Sequence, residues 1–69
     1  MKVVESLRRE RRWSKAELAR RARMDPSDVD GIENGLMRPS ASQIIRLAQA
    51  LGLSKQEALE LFGTVDDRR

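Results

Sequence analysis

Residues 14–35 read Ser14-Lys15-Ala16-Glu17-Leu18-Ala19-Arg20-Arg21-Ala22-Arg23-Met24-Asp25-Pro26-Ser27-Asp28-Val29-Asp30-Gly31-Ile32-Glu33-Asn34-Gly35. Two helix starts and two stops lie in this stretch. Ser14 with Glu17 three residues on is a capping box: the hydroxyl takes the N3 amide, and the carboxylate returns to the cap amide. Asp25-Pro26-Ser27-Asp28 is a variant, with Asp at the cap, Pro at the first helical position and an acid in the first turn. Behind each start the apolar residues recur at helical spacing, Leu18, Ala19 and Ala22 in one and Val29 and Ile32 in the other. Only Arg23 to Asp25 separate them. Two short helices joined by about three residues have the geometry of a helix-turn-helix.

The same signals extend outward. Ser40-Ala41-Ser42-Gln43 and Ser54-Lys55-Gln56-Glu57 repeat the capping box. Gly35, Gly52 and Gly63 each follow an apolar helical run, as residues just past a helix end do. Leu53 is placed to make the hydrophobic contact that accompanies such a stop. Pro39 favours an extended Arg38 ahead of the Ser40 cap. Ile44, Leu47, Ala48 and Leu51, then Ala58, Leu59 and Phe62, continue the helical period. These signals predict helices at about 2–12, 15–22, 26–34, 41–51 and 55–62. No stretch alternates as a strand does, and no second domain or repeat is visible. The expectation is a compact all-α, five-helix domain over residues 1–63, with a short, polar, frayed tail from Thr64 to Arg69.

Composition narrows the chemistry. A chain of 69 residues forms one domain with one small core, worth about 3–10 kcal/mol at roughly 0.05–0.15 kcal/mol per residue. It has no Cys and no His, hence no disulfide, no thiolate or imidazole metal ligand and no imidazole base. No nucleophile, base and orienting group can be assembled, so a binding module is expected rather than an enzyme, and no cofactor. Apolar runs are too short to span a membrane and no secretory leader is visible, which makes the cytoplasm the expected compartment. Asp28-Val29-Asp30-Gly31 matches part of a calcium loop, but Pro26 and Met37 occupy its first and last ligand positions, so no metal site is expected.

Charge is unevenly spread. Residues 1–23 carry nine basic groups (Lys2, Arg8, Arg9, Arg11, Arg12, Lys15, Arg20, Arg21, Arg23) and three acids, whereas residues 24–69 carry five basic groups and eight acids. A net +6 half beside a net −3 half suggests a polyanion-facing side.

At this point the chain resembles the lambda-repressor-like, Cro-type (XRE) helix-turn-helix domains. The resemblance rests on Leu7-Arg8-Arg9-Glu10-Arg11-Arg12-Trp13-Ser14-Lys15-Ala16-Glu17-Leu18-Ala19, on Val29-Asp30-Gly31-Ile32-Glu33-Asn34-Gly35, and on Pro39-Ser40 followed by Leu47-Ala48-Gln49-Ala50-Leu51-Gly52-Leu53. It covers about residues 3–63 in register with the five helices. It implies a repressor-like transcriptional regulator that binds double-stranded DNA as a symmetric homodimer on a palindromic operator. The third helix then lies in the major groove and the start of the second abuts the backbone. Pro26, Ser27, Asp28, Asp30 and Gly31 become the groove-facing residues, and Lys15, Asn34, Arg38, Ser40, Arg11 and Arg12 the phosphate contacts. Family members pair a Glu at the position of Glu33 with an Arg at that of Arg8, implying a partly buried structural ion pair.

The third helix departs from its relatives. Between Met24 and Met37 there are four acids and no basic residue, although strong base readout uses Arg or Lys on guanine and Asn or Gln on adenine. Asp28 or Asp30 can accept from cytosine N4, or be repelled by nearby phosphates. The alternative is a protein–protein adaptor in which the acidic third helix meets a protein partner. Arg12 and Arg23 stand where relatives often have Gly. Trp13, just before the Ser14 cap, reads as a hydrophobic staple. Leu36 and Met37 read as a loop with at least one exposed apolar side chain and a candidate partner contact. Leu61 and Phe62 read as a candidate dimer contact, the dimer interface itself being left open by the sequence.

Overall fold

A computed structural model describes residues 1–63. The helices are α1 (Lys2–Glu10), α2 (Lys15–Ala22), α3 (Pro26–Glu33), α4 (Ala41–Ala50) and α5 (Lys55–Phe62), with no strand among the described residues. The predicted tail, Thr64 to Arg69, lies outside the described residues.

Helix starts follow the caps, with two differences from the sequence reading. Ser40 and Ser54 form complete capping boxes with Gln43 and Glu57. The Ser14 hydroxyl accepts from the Glu17 amide, but the Glu17 carboxylate does not return to the cap. Instead it accepts from Arg20 at 2.5 Å and Arg21 at 2.6 Å. Two charge-assisted bonds outcompete one neutral amide. The guanidiniums of Arg20 and Arg21 hold the Glu17 carboxyl below the usual carboxylate range. Asp25 caps α3 by position only, with no side-chain bond. Its own carbonyl accepts from the Asp28 and Val29 amides, and Pro26 brings no N–H, so the carboxylate is not needed there.

Four helix ends close in the same way, through a left-handed residue. At α1 the Trp13 amide donates to Arg8 O at 3.2 Å and the Arg12 amide to Arg9 O at 2.9 Å. At α2 the Met24 amide reaches Ala19 O at 2.8 Å and Arg23 reaches Arg20 O at 3.3 Å. Gly35 and Gly52 serve α3 and α4 identically. Arg12 and Arg23 adopt φ of 59° and 58°, which costs a side-chain-bearing residue of the order of 1 kcal/mol. The early turn at Arg12 is also why α1 ends at Glu10 and not at residue 12.

Val4, Leu18, Ala19, Ala22, Val29, Ile32, Leu47 and Leu51 form the buried core. Around it α2 packs on both α3 and α4, α1 packs on α3, and α5 packs on α4. The Met1 nitrogen donates to the carbonyls of Ile32 and Glu33 at 2.5 and 2.8 Å, tying the start of α1 to the end of α3. Trp13 packs against the core edge beneath the Arg21 guanidinium, 4.3 Å from the ring centroid, a cation–π contact. The Arg11 guanidinium also lies over the ring, 5.8 Å from its centroid, so two guanidiniums cover Trp13 above its apolar seat.

Candidate nucleic-acid interface

The α2–turn–α3 unit is held by backbone closure and by burial. Arg23 turns left-handed, Met24 packs against the core, and Pro26 presets the first turn of α3. Val29, Ile32 and Glu33 face inward. The 3.6-residue period then turns Ser27, Asp30 and Asn34 away from the core.

Glu33 is the buried end of an ion pair. Arg8 Nε donates to its Oε2 at 2.6 Å and Arg8 Nη2 to its Oε1 at 3.0 Å, the two side chains being 8% and 2% exposed. The third guanidinium nitrogen, Nη1, donates to Trp13 O at 2.8 Å. This bidentate geometry satisfies both carboxylate oxygens and ties α1 to α3 and to the α1–α2 turn. The hydrogen bond to Glu33 outweighs desolvation and raises the Arg8 pKa further, so the guanidinium stays charged.

The outward face of α3 carries a second pair. Lys15, the first residue of α2, donates its ammonium to Asp30 Oδ1, and Asn34 Nδ2 donates to the same oxygen at 3.1 Å. The Lys15 hydrogen bond and charge, helped by Asn34, hold the Asp30 carboxyl below the usual carboxylate range. Both partners remain accessible, Lys15 being 40% and Asp30 47% exposed. Asp28 turns the other way, toward α4, where its Oδ2 accepts from Gln43 Nε2 at 3.3 Å. Gln43 is itself held by the α4 capping box, its Oε1 accepting from the Ser40 amide at 2.9 Å.

Pro26 and Ser27 are exposed in the first turn of α3. Gly31 is covered by Met37, whose Cγ lies 3.1 Å from where a Cβ would stand. Ser40 accepts from the Gln43 amide at 3.1 Å and keeps its hydroxyl proton for another acceptor. Arg12 and Arg38 are exposed and make no ion pair among the described residues. Arg11 is differently placed: Nη1 and Nη2 donate to Leu7 O at 2.9 Å and Leu51 O at 2.6 Å, clamping α1 to the end of α4. Leu36 is 80% exposed, whereas Met37 is half-buried.

Two contacts had no sequence signal beyond their residue type. Gln43 reads as a capping residue, and its amide's second partner on α3 follows only from how α4 crosses. Arg46 donates to Arg23 O at 3.1 Å, bracing the turn from α4. The basic half of the chain is largely spent internally. Arg8, Arg9, Lys15, Arg20 and Arg21 all pair with carboxylates.

A family model described as a helix-turn-helix domain matches residues 3–61. The chain belongs to the helix-turn-helix domain family, a class associated with DNA binding. Neither a curated protein nor a solved structure matches it. No described helix is long and apolar enough to cross a membrane.

Proposed function

We propose that this domain binds double-stranded DNA sequence-specifically as a small repressor-like regulator of the Cro/XRE type. In this reading α3 enters the major groove, and a cytoplasmic homodimer spans a palindromic operator. The observation that carries the proposal is the α2–turn–α3 unit within a family match covering nearly the whole chain. Half-sites then lie one helical turn apart, roughly 34–36 Å.

Arg12 and Arg38, unpaired among the described residues, are the cations offered to phosphate, with Ser40 and Asn34 as hydrogen-bond donors and Lys15 beside them. With about three to four phosphate contacts per monomer, affinity for a half-site falls with a log–log salt slope of about −3. Fluorescence anisotropy with a labelled duplex pool at several salt concentrations measures it. Absence of binding at low salt overturns the proposal. That result would favour a protein partner on the acidic α3 and the exposed Leu36, the second reading these features support.

A further inference from the structure

Asp28 and Asp30 are chemically the same, but the fold treats them differently. Asp28 is turned to Gln43 on α4. Asp30 lies on the outward face, and both of its donors, Lys15 Nζ and Asn34 Nδ2, converge on Oδ1. Oδ2 has no donor among the described residues, and the Asp30 side chain is 47% exposed. An ammonium beside the carboxylate offsets the charge that would otherwise be repelled by phosphates. Two donors on one oxygen also orient the group, leaving an aligned acceptor on the face proposed to meet the groove.

We propose that Asp30 is the base-reading residue of this domain, its Oδ2 accepting from the N4 amino group of a cytosine, with Lys15 as its positioning residue. The proposal rests on the DNA-binding reading above. In the major groove guanine presents two acceptors, and thymine an acceptor and a methyl, so all of these oppose a carboxylate oxygen. Adenine offers an amino group, but beside it the N7 acceptor; cytosine offers the amino group alone. Of the side chains turned outward from α3, Asp30 alone is a carboxylate, and the Asn34 amide oxygen beside it is a neutral acceptor. Ser27 reads donors and acceptors alike, and Gly31 is covered by Met37.

The test is selection of bound sites from a random duplex library with the wild type, Asp30→Asn, Asp30→Ala and Lys15→Met, each checked by circular dichroism for folding. The wild type is expected to enrich cytosine at one position per half-site and to lose roughly tenfold in affinity when that base is replaced. Asp30→Asn shifts the preference at that position to adenine, which a carboxamide can contact at N6 and N7. Asp30→Ala abolishes the preference there while the rest of the site is retained. Lys15→Met lowers affinity on every sequence, since Lys15 also stands among the phosphate donors. Beyond that it weakens this one preference without lowering helicity, an effect a purely structural lysine would not have. If the wild type enriches a site that Asp30→Ala and Asp30→Asn leave unchanged, the proposal is overturned while DNA binding stands. If the wild type enriches nothing, the DNA-binding reading fails and this proposal fails with it.

Discussion

Glu33 and Asp30 lie three residues apart on α3, and each is bonded to a cation from an earlier helix. Arg8 grips Glu33 with two hydrogen bonds in the core, away from water. Lys15 meets Asp30 through one ammonium contact at a surface where both groups remain accessible. Removing two charges from water is costly, and only good geometry with every polar atom partnered offsets it. The buried pair meets that condition and joins three segments of chain. The exposed pair is screened by salt and contributes little to folding, which leaves it free to serve a surface function.

Breaking the buried pair should have the largest effect. Glu33→Ala leaves the Arg8 guanidinium uncompensated in the core and is expected to cost about 3–5 kcal/mol in urea unfolding. That is a large part of a total of about 3–10 kcal/mol. A loss under about 0.5 kcal/mol would show that water reaches Arg8 and erase the contrast with Lys15. A subtler effect comes from replacing both partners. Arg8→Met with Glu33→Leu removes two buried charges together and should recover at least half of the single-variant loss. The recovery is incomplete because Trp13 O loses its donor.

The smallest effect belongs to the exposed pair, and pH reveals it. The Asp30 carboxyl is held below its ordinary value by Lys15. Its contribution is therefore complete above the unfolded value, about 3.9, and is lost as pH falls through the lowered folded value. Carbon-detected NMR titration of the Asp30 carboxyl reads this directly, and Lys15→Ala should return it toward the ordinary value. An Asp30 titration unchanged by Lys15→Ala would mean that the two groups do not meet in solution.

How much of this was visible in the chain itself depends on distance along it. Helix starts at Ser14, Ser40 and Ser54 are local, because a cap and its N3 partner lie three residues apart. The ends at Gly35 and Gly52 are local for the same reason. Where the local reading missed, a competitor had entered: Arg20 and Arg21 took the Glu17 carboxylate, and the Asp25 carbonyl did the work expected of its side chain. The Arg8–Glu33 geometry joins residues 25 apart, and family resemblance was the main guide to it. Charge counting was a poorer guide, since the basic half is mostly occupied by intramolecular partners.

By itself the sequence determined the class of structure: five short helices, their order, and the three-residue turn between α2 and α3. Periodicity and capping suffice for that because each helix is specified by residues within a few positions of one another. Only the tertiary structure decided what the charged side chains do. It turned Arg11 onto Leu51 O, Asp28 onto Gln43 and Lys15 onto Asp30. Those choices depend on which helices cross and how closely, because hydrogen bonds and ion pairs form only between groups the fold brings within a few ångströms of each other.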